Sequence, residues 1–331
     1  GFNCFVWNYK YNKQVAEEIK RRFPDCIIVF GGWQQPIADR SQGFFEEHPY
    51  VDVIVHGEGE IAFEEILVEA LKDKPDWKSI TGCSIPNEDL STFVTPPRPR
   101  IANIDEMPSP YLDGLFDRLL EKADHTYALE STIETTRGCP YSCTFCEIGT
   151  KYYSKVRRQS FEKVKKEIDW ISDHKVEFIY NADSNFGMFP EHLDVTRYMV
   201  DKKKETGYPG KHRCDWAKNK GDKVIPLAKI FTEADMDKGI TIALQSMNPK
   251  VLKAIKRQNI DSGKLERFLE MYNEEELTSY VELILGLPEE TTDSFMEGVC
   301  KTIELGQHNY IGIYSLTVLP NTPFGDPEYI K

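Results

Sequence analysis

The chain has 331 residues, with 41 Lys and Arg against 54 Asp and Glu, a formal net charge of −13; 40% is hydrophobic, 12% aromatic and 29% charged. That composition excludes a disordered chain, a collagen and a small disulfide scaffold, and the acidic balance argues against a general nucleic-acid binder. The length predicts about two domains, each large enough for its own core. No run of 18 or more apolar residues occurs, so no transmembrane helix is expected. No signal peptide is visible, and a cytoplasmic location is the expectation.

The first segment alternates strand and helix. Phe2–Trp7 reads as a short apolar strand. Lys13–Phe23 has helical periodicity, with Val15, Ile19 and Phe23 on one face, and Pro24-Asp25 ends it. Cys26–Phe30 is an apolar run closed by Gly31-Gly32, and Asp52–His56 is another, closed by Gly57-Glu58-Gly59-Glu60. Ile61–Leu71 then reads as a helix. Apolar strands ending in glycine and followed by helices imply a parallel sheet covered on both faces. Residues 1–75 are therefore expected to be a partial doubly wound, Rossmann-like domain. It begins part-way through its strand order and without an initiator Met, so the chain reads as a piece of a longer protein.

Residues 76–125 change character. Pro86, Pro96, Pro97, Pro99, Pro108 and Pro110 fall here, too densely for long helices or central strands. This stretch reads as a linker with a small hairpin, Ser79–Pro86 then Thr92–Thr95, and a domain boundary near 105–125.

From residue 126 the alternation resumes. Strands are predicted at Ser131–Thr136, Glu177–Ala182, Lys211–Trp216, Thr241–Gln245, Tyr280–Leu285 and Ile311–Val318. Helices are predicted at Phe161–Ser172, Glu191–Thr206, Val224–Lys238, Pro249–Ile255 with Ser262–Asn273, and Thr292–Leu305. Six units of roughly 34 residues each fall short of the about 250 residues of a full eight-unit barrel. Residues 126–331 are expected to form an open (β/α)6 partial TIM barrel.

Eight cysteines are present: Cys4, Cys26, Cys83, Cys214 and Cys300 are scattered, whereas Cys139, Cys143 and Cys146 are packed into eight residues. The scattered five read as small buried hydrophobes. The trio has C-x3-C-x2-C spacing on the loop after the first barrel strand. Three thiolates in one tight loop can hold three corners of a [4Fe–4S] cube, whose usual ligation is four cysteines. One iron would then keep an open position, the logic that separates catalytic from structural zinc sites. Gly138 and Pro140 suit a sharp turn around a cluster. The competing reading is structural zinc, which wants four ligands; the nearest histidines are His125 and His174.

Cys139, Cys143 and Cys146, with Phe145 just before the last cysteine, resemble the signature of the radical S-adenosylmethionine (radical SAM) superfamily. The resemblance implies a [4Fe–4S] cluster, reductive cleavage of SAM to methionine and a 5′-deoxyadenosyl radical, and an external one-electron reductant such as a flavodoxin or ferredoxin. It also implies that strand ends hold SAM. Asn181–Gly187, carrying Asp183 and Asn185, occupies the place that meets the SAM amino group in that family, although the family's glycine-glycine-glutamate form is absent. Gln245-Ser246, followed by Leu252 and Arg257, resembles the segment that meets the ribose or carboxylate. Gly286 resembles the glycine beneath the adenosyl group, and Thr317–Pro323 the backbone that meets adenine. Each segment also has a plain turn or helix-cap reading. Lys155, Arg157 and Arg158 read either as attractors of an anion or as a solvated face.

Residues 1–75, with Gly31-Gly32 and Gly57-Glu58-Gly59-Glu60, resemble the cobalamin-binding domain that precedes the barrel in one large radical SAM class. There the glycine pair lines the channel for the nucleotide tail. The Asp-x-His-x-x-Gly motif that supplies the lower cobalt ligand is missing. The resemblance implies cobalamin-dependent methylation or rearrangement of a small-molecule substrate. Two alternatives stand beside it: a cobalamin-independent enzyme similar to the methylthiotransferases, and a non-catalytic zinc-binding module.

Overall fold

The computed structural model describes residues 1–121, 126–237 and 239–330. His125 and Lys238, both named above, lie outside the described residues. The chain packs as two units. The first comprises residues 1–102, 144–152 and 318–331, and the second residues 103–143 and 153–317.

In the first unit, β1 (Phe2–Asn3), β2 (Val29–Gly31) and β3 (Val53–Val55) run parallel. Helix α1 (Tyr9–Arg22) follows β1, the short α2 (Phe44–Glu47) follows β2, and α3 (Glu60–Ala70) follows β3. Alternate strand residues face opposite ways. Phe30 and Ile54 pack with Cys4, Ala16 and Phe45 on one face, while Val29, Val53 and Val55 pack with Ala62 and Ile66 on the other. The sheet is thus covered on both sides. α1 carries Lys20, Arg21 and Arg22 in its last turn, where cations meet the negative end of the helix dipole. Lys20 Nζ also reaches Asp52 at 2.9 Å.

The proline-rich stretch contains the expected hairpin, but as part of the first sheet rather than within a linker. β4 (Cys83–Pro86) and β5 (Thr92–Val94) extend the same sheet antiparallel, in the order β1-β2-β3-β4-β5. Prolines do not prevent this, because Pro86 is the last residue of β4 and Pro96-Pro97 follow β5. The unit boundary falls at 102/103, earlier than the sequence suggested.

The second unit opens with α4 (Leu115–Leu120) and β6 (Glu130–Ile133). A small antiparallel pair follows, β7 (Thr136–Arg137) with β8 (Arg157–Arg158). Then come α5 (Phe161–Asp173), β9 (Phe178–Phe186), α6 (Glu191–Thr206), β10 (Lys211–Trp216), α7 (Gly221–Glu233), β11 (Ile240–Gln245), α8 (Pro249–Ala254), α9 (Ser262–Glu274), β12 (Ser279–Leu285), α10 (Thr292–Glu304) and β13 (Tyr310–Ser315). The six long strands make two parallel ladders, β10-β9-β6 and β11-β12-β13, rather than one six-stranded ladder. Between them Trp216 Nε1 donates to Gly239 O at 3.2 Å. The helices start where the sequence offers caps. Ser160 accepts from Lys163 N, Asp261 from Lys264 N, and Thr291 forms a reciprocal box with Ser294. Ile168, Ile171, Ile179, Phe186, Met199 and Phe231 are fully buried between strands and helices. The last strand ends at Ser315, and Val318 belongs to the first unit.

The first predicted strand, Ser131–Thr136, is broken in two. Asp183, fully buried on β9, accepts hydrogen bonds from Thr135 N at 2.7 Å, from Thr136 N at 2.9 Å and from Thr135 Oγ1. These donors turn away from the β6 ladder to meet the carboxylate, and β7 leaves in a new direction. Burial pushes the Asp183 carboxyl up to about 6, against the opposing pull of those hydrogen bonds.

Two consequences are measurable. Asp183→Ala strands three buried donors and should lower stability by about 2–5 kcal/mol in urea unfolding. His212 is wholly buried, stacked 4.3 Å from Phe231, and burial pushes its imidazole down to about 3. Its folded pKa lies below its unfolded value of about 6.5, so the stability it contributes is present above that value and lost as pH falls towards 3, at up to about 1.4 kcal/mol per pH unit. His212→Phe should flatten the stability profile in that window, read by thermal melts at stepped pH.

Candidate functional site

The cysteine loop leaves β7 through Gly138, whose φ of +116° is costly for any side chain. Cys139 N donates to Tyr153 O at 3.0 Å, which closes the base of the loop. Cys139 and Cys143 are each only 5% exposed and free of disulfide bonds. Each thiol meets one side-chain donor from a distant strand end. Asn185 Nδ2, on β9, lies 3.3 Å from Cys139 Sγ. Arg257 Nη1, after α8, lies 3.6 Å from Cys143 Sγ.

Arg257 is itself held. It donates through Nη2 to Ala243 O and through Nε to Asn259 Oδ1 at 2.8 Å. Asn259 in turn donates to Leu244 O at 2.7 Å and Ser246 O at 2.8 Å. The end of β11 therefore orients the guanidinium that faces the second thiol. Asn185 also keeps its Oδ1 buried without a hydrogen-bond partner.

The other strand ends are occupied as follows. Gln245 is nearly buried and has φ +68°. Ser246 Oγ donates to Glu290 Oε2 at 2.6 Å and accepts from Asn248 N at 3.1 Å. Gly286 has φ +95°, and a Cβ there would meet nothing closer than Leu316 at 3.8 Å. Backbone conformation, not crowding, requires glycine at that position. His192 stacks on Phe186 at 4.6 Å and accepts from Gly187 N at 2.6 Å; burial pushes its imidazole down to about 4, so it is neutral beside Asp183. Arg158 pairs with Glu191 at 2.6 Å on the surface. Asn185 facing a thiol and Arg257 facing Cys143 could not be read from the sequence, because 46 and 114 residues separate the partners.

In the first unit, Phe145 and Cys146 are half-buried and lead into a turn, Glu147–Gly149, closed by Gly149 N to Cys146 O at 3.1 Å. Burial pushes the Glu147 carboxyl up to about 7. The segment is tied down at Tyr152. Its ring fills the space above Gly57, where a Cβ would lie 2.5 Å from the hydroxyl, and that hydroxyl accepts from Glu58 N at 3.3 Å. Glu58 forms a buried ion pair with Arg100 at 3.0 Å and accepts from Ile101 N at 2.7 Å. In the glycine pair, Gly32 has φ +93° and a Cβ there would fall within 3 Å of Asn3 and Cys4. Gly31 is freer, with only Val55 at 3.9 Å. Gln35, on the same loop, is 2% exposed with both amide atoms lacking hydrogen-bond partners.

Among the described residues no three His, Cys, Asp or Glu side chains converge on a single point as the ligands of one metal ion. A zinc ion needs its ligands at about 2.0–2.3 Å from one centre. A cube takes its cysteines on separate irons and does not require that convergence. No helix among the described residues is long and apolar enough to cross a membrane.

The chain is 39% identical over 335 residues to the cobalamin-dependent radical SAM methyltransferase TokK of Streptomyces tokunonensis, matching all of this chain and 48% of that protein. It is 40% identical over 336 residues to the 2-(S-pantetheinyl)-carbapenam-3-carboxylate methyltransferase of Streptantibioticus cattleyicolor, again over 48% of its length. The chain thus spans about half the length of these curated relatives. Among solved structures, the radical SAM methyltransferase TsrM of Kitasatospora setae, with cobalamin and a [4Fe–4S] cluster bound, is similar with a TM-score of 0.70 and 19% identity, over 96% of this chain and 62% of that one. That likeness shows a shared mixed α/β fold. The family model of the radical SAM superfamily matches residues 133–298, half of the chain, from the strand before the cysteine loop to α10, and the chain belongs to that superfamily.

Proposed function

We propose that the protein cleaves SAM reductively at a [4Fe–4S] cluster held by Cys139, Cys143 and Cys146, and that it is a cobalamin-dependent methyltransferase acting on a small molecule. The observation that carries this reading is the buried pair Cys139 and Cys143, each met by a fixed N–H donor, on a C-x3-C-x2-C loop. The donor set fits a cluster: thiolates buried this deeply need their charge met, and hydrogen bonds to sulfur tune a cluster's potential. When bound, the cluster supplies the electron that splits SAM into methionine and a 5′-deoxyadenosyl radical.

This chain's own residues do the rest. Asp183 accepts from the backbone of Thr135 and Thr136, and so holds the entry to the cysteine loop. Asn185, Gln245, Ser246 and Gly286 stand at the strand ends where SAM would lie, as active-site groups do in βα barrels. We read the second unit as an open partial barrel and the first as Rossmann-like. An external one-electron carrier such as a flavodoxin or ferredoxin would supply reducing equivalents.

Cobalamin is supported by the names of the relatives. Histidine is not offered as a cobalt ligand in this unit. His48 Nδ1 meets Tyr50 Oη at 3.2 Å, and His56 Nε2 meets Ser84 Oγ at 2.7 Å. The zinc alternative has no comparable support among the relatives, which are named as radical SAM methyltransferases.

The test is anaerobic reconstitution with iron and sulfide, followed by SAM and a strong reductant. The expected result is about four irons per chain and 5′-deoxyadenosine by mass spectrometry, both lost in Cys143→Ala. With methylcobalamin and a methyl acceptor, S-adenosylhomocysteine should accumulate. One zinc per chain and intact SAM would overturn the reading.

A further inference from the structure

Strands β9, β10 and β12 of the second unit alternate between buried and more exposed positions over most of their length. Ile179, His212, Cys214, Val281 and Leu283 are buried. The intervening positions carry many tyrosines and charges, Tyr180 on β9, Arg213 and Asp215 on β10, Tyr280 and Glu282 on β12, and the exposed Tyr310 and Tyr314 lie on the neighbouring β13. In a closed barrel this face is filled by bulky branched side chains in layers. Here it is open, and it is built.

The register places these residues together. Tyr180 is opposite Arg213, and Glu282 is opposite both Ala243 and Gly312. Tyr180 Oη donates to Asp215 Oδ2 at 3.1 Å. A Cβ on Gly312 would lie 3.0 Å from the Tyr314 ring and 3.2 Å from the Tyr310 ring, so the two tyrosines lean together over that glycine beside Glu282. Burial and the neighbouring Asp215 raise the Glu282 carboxyl, while Arg213 and Lys218 oppose the shift. Glu282 in turn raises the Tyr314 phenol. Lys218 sits 5.9 Å over the ring of Tyr141, which belongs to the cysteine loop. Among the described residues Arg213 has no carboxylate within ion-pair distance, although Asp215 and Glu282 are its neighbours.

A solvated strand face needs no such arrangement. Mutually satisfied charges would pair Arg213 with Asp215 or Glu282, and they do not. An exposed guanidinium without a partner is suited to a planar anion, which it grips through two parallel N–H bonds. Two carboxylates kept close to each other are suited to hydrogen-bond donors.

We propose that this face is the substrate site, that it takes a substrate bearing a carboxylate together with N–H or O–H donors, and that Arg213 binds the carboxylate while Asp215 and Glu282 accept from the donors. The proposal rests on the reading of the protein as a radical SAM enzyme, and it names the specificity residues of that site. Tyr180 and Tyr314 are its walls. Amphoteric small molecules fit, and neutral lipids do not.

The test measures binding rather than turnover. The cluster-loaded chain is titrated calorimetrically with 2-(S-pantetheinyl)-carbapenam-3-carboxylate, the acid named for one relative, and with its methyl ester. The wild type should bind the acid at least ~10-fold more tightly than the ester. Arg213→Gln should weaken the acid roughly 10- to 100-fold, bring acid and ester level, and keep an unchanged melting temperature, since the side chain is exposed. Arg213→Lys should recover part of the loss. Glu282→Gln should weaken both ligands alike. Acid and ester bound equally by the wild type, no binding of the acid, or an Arg213→Gln variant that binds the acid as the wild type does, would each overturn the assignment. Calorimetry needs no SAM cleavage. Intact binding selectivity with no 5′-deoxyadenosine would sink the enzymatic reading and leave this site standing, whereas SAM cleavage without selectivity would do the reverse.

Discussion

A buried carboxylate sets the frame of the site. Asp183 sits at the end of β9 with no solvent access, and its charge is tolerable only because three donors from Thr135 and Thr136 converge on it. Those donors belong to the last residues before the cysteine loop. The carboxylate therefore decides where the first strand stops and in which direction Thr136, Arg137 and Gly138 depart. Gly138 then makes the turn that a Cβ would resist. The placement of Cys139 and Cys143 follows from this joint, and so does the proximity of Asn185, two residues along the same strand.

The thiols illustrate a second dependence. Each of the two buried thiols is met by one donor, a neutral one at Cys139 and a cationic one at Cys143. The cationic donor comes from a loop that is itself tied to carbonyls at the end of β11. Strand ends thus do two jobs at once: they terminate ladders and they aim polar groups. The opposite strand face carries a different chemistry, with tyrosines and charges where a closed barrel would place apolar side chains.

Much of this was legible beforehand. The helix Glu191–Thr206 and the strand Lys211–Trp216 have the bounds that periodicity and flanking turns suggested, because their patterns are long and their ends are punctuated by glycine or proline. The cysteine spacing also pointed directly to the family, since three cysteines within one loop need no tertiary information to be recognised. In the stretch 76–102 the expected hairpin is present as β4 and β5, but it extends the first unit's sheet instead of sitting in a linker. Proline density is a statement about central strands and long helices, and short edge strands flanked by proline escape it. The strand Ser131–Thr136 was drawn too long for the opposite reason: its local pattern is continuous, and only a carboxylate some fifty residues away interrupts it.

The role of Asp183 shows the limit most clearly. In the sequence it is one polar residue among several at a strand end, equally suited to a cofactor, a turn or a cap. Which of these it serves depends on what lies opposite, and that is a fact of packing. The same holds for Arg257 and Cys143, for Arg213 and Glu282, and for Gly57 beneath Tyr152. By itself the sequence determined the order of elements and the cysteine loop, which are encoded over a few neighbouring residues by period, punctuation and spacing. Only the tertiary structure decided which side chains meet the thiols, which carboxylate is consumed by backbone and which face stays open, because those are distances between residues that the chain separates by tens to hundreds of positions.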